Sequence, residues 1–343
     1  MMAGDGRDAG IFGPIRAFIA AHRRFLFLTH IGPDGDGLLA CLALARYFGF
    51  QEKQATVVIE GPGPKFLGAY DPEGLVRSRK ELLAREDWAD SFDAIIVIDT
   101  GKPIRLGKIH HAVSASGLPV AVIDHHIRED DDYEVPAAID PRAASVGQMI
   151  AEYLNEEGYA FDDSLIVRTL FATLSYDTGH FRFTNTSEKT FRWAARLVEL
   201  GAQPSEAFSI FWESGTAASL KLLGHLMSGL NMECGERLGW FTMSIEDLEK
   251  YGVARDEIEE YISFPRSVGS IEVIASFTEL EKNLIRVSIR SKGRISIHEV
   301  AVRFGGGGHA FASGARCRDT LENTTRAVIQ ALSEKIRADM GPD

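Results

Sequence analysis

Cysteine is scarce in this 343-residue chain: Cys41, Cys234 and Cys317 are odd in number and far apart, so neither a disulfide framework nor a paired-thiol zinc or redox site is available. No apolar run approaches the roughly 20 residues of a membrane-spanning helix. The smoothest stretch, Leu38 to Phe48, is interrupted by Arg46. The opening residues, MMAGDGRDAG, have neither the basic nor the apolar region of a secretory signal, which gives the expectation of a cytoplasmic protein with no membrane partner. Basic charge is also in deficit. With 37 Lys and Arg against 49 Asp and Glu, the formal charge of −12 has the wrong sign for gripping a long duplex through its phosphates. Two catalytic signatures are missing. The lack of a G-x-x-x-x-G-K-[ST] loop disfavours a P-loop NTPase, and the lack of a G-x-S-x-G elbow disfavours a serine esterase of the α/β-hydrolase kind.

What is present suits an ordinary globular protein, 45% hydrophobic and 25% charged, long enough for two domains at about 150 residues each. The charge is unevenly spread. Between Pro265 and Arg318 nine basic residues face four acids, a local +5 that leaves −17 for the rest. An acidic body with a modest basic segment suits a small anionic ligand.

Four short apolar runs in the first half read as strands buried on both faces: FLFLTH (25–30), ATVVIE (55–60), AIIVID (94–99) and VAVID (120–124). Helical patterns alternate with them, which predicts α/β architecture with a parallel sheet and functional loops at the carboxyl ends of its strands. Helices are expected over 145–155, 164–175 and 188–200, then, after the breaker GAQP (201–204), more helix to about Leu230. The final third alternates strands (GWFTMSI, IEVIASF, LIRVSIR) with the helix SIHEVAVRF, a glycine run, a short ASGARCR strand and a terminal helix from Thr320. The expectation is therefore an N-terminal parallel-sheet domain (1–200), a helical connector (201–230) and a smaller α+β domain (231–343), with the active site in the interdomain cleft.

Three of the four runs change at their carboxyl ends from aliphatic residues to metal-binding ones. The first meets His30 and then Asp34 and Asp36, the third ends on Asp99, and the fourth on Asp124-His125-His126. A carboxylate ending an apolar strand is costly to desolvate unless paired, hydrogen-bonded or coordinated, so three such endings point to a common cation. Any one of these carboxylates alone is as readily a turn former or a helix cap. Imidazole with carboxylate and no thiolate suits manganese, iron, cobalt or zinc better than calcium, with manganese the first choice. Asp177, in LSYDTGHF, adds a fourth carboxylate beside Asp34, Asp36 and Asp99, enough to balance two divalent ions. Two such ions about 3.5–4 Å apart generate hydroxide at neutral pH and clamp a phosphoryl oxygen, which predicts phosphoester hydrolysis. His110-His111 follow no buried strand and read as surface, while His22 and His225 read as solvated or core residues. In the basic segment, Arg290-Ser291-Lys292-Gly293 and the run Gly305 to Gly308 with His309 read as an anion pocket.

Taken in order, HIGPDGD, VIDTG, IDHH and YDTGHF resemble the four motifs of DHH phosphoesterases, and RSKG with GGGGHAFASG resembles the DHH-associated C-terminal domain. The layout is most similar to the bacterial nanoRNase and pAp-phosphatase branch. The resemblance implies action on short 5′-phosphorylated RNA or DNA oligonucleotides and small nucleotides, releasing nucleoside 5′-monophosphates, and removal of the 3′-phosphate of pAp. It also implies one metal held by His30, Asp34 and Asp99 and another by Asp36, Asp99, His125 and Asp177. Asp124 would support the centre, and His126 would contact the scissile phosphate or protonate the leaving oxygen. Arg290, Ser291, Gly306, Gly307 and His309 match positions that hold the nucleotide, with Arg266 a further candidate. Linear or cyclic dinucleotides and polyphosphate are alternative substrates for such a centre, a non-catalytic nucleotide-binding module is a rival from another class, and a homodimer is left open. The chain departs from the family pattern at Leu39 and Ala40, where Gly-Ser is common, at Tyr176 in place of Thr, and at Ser313 in place of Ala.

Overall fold

The computed structural model describes residues 10–254 and 259–341, without the side chains of Glu259, Glu260 and His309. It divides into two units, residues up to Ser214 and residues from Gly215.

The first unit is built on a six-stranded parallel sheet: β1 (Arg24–Leu28), β2 (Gln54–Ile59), β3 (Val76–Ser78), β4 (Ala94–Ile98), β5 (Val120–Asp124) and β6 (Ala137–Ile139), in the order β3-β2-β1-β4-β5-β6. Alternate side chains of the central strands enter two different cores. Phe25, Phe27, Ile96, Ile98 and Ile123 pack on one face, and Leu26, Leu28, Ile95, Val97 and Val122 on the other, which is why these strands read as unbroken apolar runs. The connecting helices are α1 (Gly13–Ala21), α2 (Gly37–Phe50), α3 (Leu67–Tyr70), α4 (Arg79–Leu83), α5 (Ile109–Ser116), α6 (Val146–Glu156), α7 (Ser164–Asp177), α8 (Glu188–Glu199) and α9 (Pro204–Trp212). Helix α2 is apolar nearly all round because it lies between the sheet and helices α6 and α7. Leu39 and Ala40 are fully buried in its first turns.

The second unit carries a mixed sheet of β7 (Asn231–Glu233), β8 (Leu238–Met243), β9 (Val273–Glu281), β10 (Leu284–Ser291), β11 (Gly307–His309) and β12 (Ala312–Cys317), ordered β11-β12-β10-β9-β8-β7. Among the described residues of this sheet only the β8–β9 pairing is parallel. Its helices are α10 (Ala217–Ser228), α11 (Ile245–Tyr251), α12 (His298–Arg303) and α13 (Leu321–Met340).

Three local features differ from expectation. The helical stretch after Pro204 is interrupted between Trp212 and Ala217, where Thr216 starts a new helix through a capping box with Ser219. The edge strands β3, β6 and β7 are three residues each, too short to show a period. Part of the glycine run is strand β11, paired with β12 from Gly307↔Gly314 to His309↔Ala312.

Candidate metal centre

Strands β1 and β4 are neighbours where the strand order reverses, and the crevice at their carboxyl ends is where open α/β sheets place ligands. His30 lies just beyond β1 and Asp99 just beyond β4. Asp99 is buried, with backbone φ of 68°, in the left-handed region that Asp tolerates better than most residues. Gly37 makes room for it. A Cβ at position 37 would fall 2.3 Å from Thr29 Oγ1 and 2.9 Å from Asp99 Oδ2.

The Asp99 carboxylate faces an imidazole on each side, with Oδ2 3.4 Å from His30 Nε2 and Oδ1 3.4 Å from His125 Nε2. Asp34 Oδ2 approaches the same His30 nitrogen at 3.5 Å. Asp36 Oδ2 and Asp177 Oδ2 lie 3.7 and 3.8 Å from His125 Nε2. Two groups of donors result, His30–Asp34–Asp99 and Asp36–His125–Asp177, the atoms of each within 4.8 Å of one another. A third grouping joins His126 to Asp99 and His125. There, however, His126 Nδ1 is 2.7 Å from Asp124 Oδ1, which also accepts the His126 backbone N–H at 3.0 Å. That contact engages Nδ1 and orients the ring.

The other donors are aimed by second contacts. Nδ1 of His30 faces the Ile31 carbonyl at 3.0 Å and Nδ1 of His125 the Ala143 carbonyl at 3.2 Å, so each ring can donate there and present Nε2 to the centre. Asp34 Oδ1 accepts from the backbone N–H of Asp36 (3.0 Å) and Gly37 (3.1 Å), covering orphan donors at the start of α2 and leaving Oδ2 to the centre. Asp36 is wholly buried and accepts from Val146 N–H at 2.6 Å and Gly147 N–H at 3.0 Å, at the positive end of α6. This approach needs glycine at 147, since a Cβ there would fall 1.8 Å from Thr173 Oγ1 on α7.

The ionisable groups of the site act strongly on one another. Burial alone would lower the His30 imidazole, but Asp34 and Asp99 outweigh it and push it up to about 10. His125 follows the same pattern, raised against burial by Asp99, Asp177 and Asp36. Asp36 is held well above the usual carboxylate range by burial and then by Asp99 and Asp177, and Asp177 is pushed up to about 7 by burial and the Asp99 and Asp34 charges against the pull of His125. Asp99, against its burial, is held down by His125 and His30. Moreover, Asp99 Oδ1 is buried with no hydrogen-bond partner. A crowded carboxylate set with one orphaned oxygen is what divalent cations would satisfy, and imidazole with carboxylate matches the transition-metal donor preference.

The expected metal-ligating residues therefore come together, as do Asp124 and His126 beside them. His22, His110, His111 and His225 belong to none of the donor groups found among the described residues. In the second unit, Arg290 pairs across the sheet with Ala312, which pairs in turn with His309, so these two backbones share one row. The His309 side chain lies outside the described residues. Ser291 is buried, its hydroxyl accepting Gly293 N–H at 3.2 Å and lying 3.5 Å from the buried Glu272 carboxylate, so it holds the turn. Gly306 and Gly307 lead into and begin β11, and Arg266 lies in the 3-10 segment Glu259–Ser267.

Sequence reasoning did not single out Gly37, Gly147 or Asn185, the last of which donates to the Asp177 carbonyl at 3.1 Å. The start of α6 near Ser145 is legible in the sequence; its grip on Asp36 is not, because Asp36 and Val146 lie 110 residues apart.

The chain matches the DHH family, N-terminal domain, over residues 24–176 and the DHHA1 domain over residues 240–338. It belongs to the DHH family and is a phosphoesterase of that family. Within the family it is similar to the bifunctional oligoribonuclease and PAP phosphatase NrnA of Bacillus subtilis, 32% identical over 64% of this chain and 69% of that one. The NrnA of Thermus thermophilus is 26% identical over 90% and 89% of the two chains. Among solved structures, an exopolyphosphatase-related protein from Bacteroides fragilis shares the fold at a TM-score of 0.87, with 20% identity and 96% of each chain covered. No helix among the described residues is long and apolar enough to cross a membrane.

Proposed function

We propose that this chain hydrolyses 5′-phosphorylated dinucleotides and slightly longer RNA fragments to nucleoside 5′-monophosphates, and pAp to AMP and phosphate, in the cytoplasm. The observation that carries the reading is the buried Asp99 carboxylate set between His30 and His125, its Oδ1 without a hydrogen-bond partner. The named activities of the two NrnA relatives supply the substrate class.

In this reading His30, Asp34 and Asp99 hold one divalent cation, Asp36, Asp99, His125 and Asp177 a second, and manganese is the first choice. When bound, such a pair supplies Lewis-acid charge at the phosphoryl oxygens and makes water a competent nucleophile at neutral pH. The protein does the rest. Asp124 fixes the His126 ring through Nδ1, so that Nε2 meets the scissile phosphate or delivers a proton to the leaving oxygen. Residues 1–200 carry this chemistry and 231–343 hold the nucleotide, through Arg290, Gly306, Gly307, His309 and Arg266, on the turn that Ser291 braces.

The test is a product analysis on the full chain with a 5′-phosphorylated RNA ladder, pAp, cyclic di-AMP and polyphosphate at equal concentration, with manganese, with magnesium and with EDTA. Consumption of the shortest RNAs and pAp, fastest with manganese and abolished by EDTA, is expected. Preferential loss of cyclic di-AMP or polyphosphate would move the chain to a different substrate class, and turnover in EDTA would remove the metals from the reaction.

A further inference from the structure

After α7 the chain turns through three residues with positive φ: Gly179 (55°), His180 (57°) and Phe181 (65°), two of them non-glycine. The turn returns Asn185 to Asp177. Asn185 Nδ2 donates to the Ala144 carbonyl at 2.9 Å and to the Asp177 carbonyl at 3.1 Å, and lies 3.4 Å from Asp177 Oδ2. Ala144 belongs to the segment from Asp140 to Gly147, which already sets two other donors of the same group. Its Ala143 carbonyl receives the His125 ring, and its Val146 and Gly147 N–H groups hold Asp36. Five residues beyond Asn185 the chain is tied to the same helix, where Thr190, in the capping box that opens α8, donates to Gln148 Oε1 on α6 at 3.1 Å.

We propose that Asn185 is a positioning residue for the Asp36–His125–Asp177 group. Through it, all three donors refer to one segment, 140–147, and Asp177 keeps its distance from His125. The proposal rests on the metal-centre reading above. It goes beyond that reading in giving a role to a side chain outside the four motifs, on an exposed turn where sequence offers no signal of one.

The test replaces Asn185 by Ala, which removes the amide, and by Leu, which keeps its shape without its donors. Manganese is titrated by calorimetry into the metal-free full chain, and melting is followed in parallel. Partners of this kind are worth 10–100-fold in metal affinity, so one of two binding events should weaken by roughly 10-fold or more in both variants. The other event and the metal-free melting temperature should hold, and kcat should recover at saturating manganese. Thr184→Ala, on the same turn, should leave both events as they are. Equal affinities in wild type and Asn185→Leu would overturn the role, as would a general loss of both events with a fall in metal-free melting. If the wild type takes up no manganese, the metal-centre reading falls and this one with it, an outcome distinct from wild-type uptake that the variants leave unchanged.

Discussion

At the scale of single residues, the proposed centre is organised around Asp99, among the described residues the one carboxylate that faces both His30 and His125. Asp99→Ala should therefore abolish turnover under saturating manganese with the fold retained. The expected loss is larger than the 10–100-fold typical of a ligand's supporting partner, read as kcat/KM beside an unchanged circular dichroism spectrum. Normal activity in that variant would refute the bridging assignment. Gly37→Ala addresses the same point from the other side. Its methyl has no room between Thr29 and Asp99, so it should lower stability by about 1–3 kcal/mol, the usual range for overpacking, measured by denaturant unfolding, and should weaken metal uptake. An unchanged unfolding midpoint and affinity would show that the helix start yields more easily than the packing implies. The metal-binding residue types and their places at strand ends were legible in the sequence, because a carboxylate closing an apolar run is conspicuous. Gly37, Gly147 and Asn185 were not, because what each does depends on a partner distant in sequence or on a turn with no period.

At the scale of elements, the long strands and helices were legible through their burial pattern, while β3, β6, β7 and β11 were not. Each of these is three residues long and exists by pairing with a neighbour rather than by its own periodicity. The break between α9 and α10 was equally hidden, since the helical composition runs on while the capping box at Thr216 restarts the hydrogen bonds. Helix α7, which ends on Asp177, is fixed at its start by Asp163. Asp163 Oδ1 accepts from Leu165 and Ile166 N–H at 3.0 and 2.9 Å, and its carboxylate pairs with Arg46 at 2.8 Å. Burial opposes ionisation of Asp163, but Arg46 and the helix N–H groups prevail and hold it below its ordinary value. A depressed carboxylate contributes stability above its unfolded pKa, and the contribution is lost as pH falls through the folded value. Asp163→Ala should thus lower stability by about 1–2 kcal/mol at pH 7, and the gap from wild type should close in acid below pH about 4. A gap independent of pH would assign the effect to packing.

At the scale of the whole molecule, the two units have separate cores. Phe25, Leu38 and Phe171 belong to the first, and Val273, Val287 and Leu332 to the second. All the proposed metal donors come from the first. Ligand that binds only the native state stabilises it by about 2.7 kcal/mol at a hundredfold excess over Kd. Scanning calorimetry with and without manganese should accordingly shift one unfolding transition upward and leave a second in place, with EDTA reversing the shift. Transitions indifferent to manganese would count against the centre.

The order of the donors along the polypeptide has a consequence for biosynthesis. In the proposed centre the His30–Asp34–Asp99 group is complete in the nascent chain by residue 99, whereas the Asp36–His125–Asp177 group waits for residue 177. On the proposed assignment, then, a ribosome-bound chain has every donor of the first group long before the last donor of the second, and the choice of ion at the second falls to whichever ions the nearly finished first unit encounters.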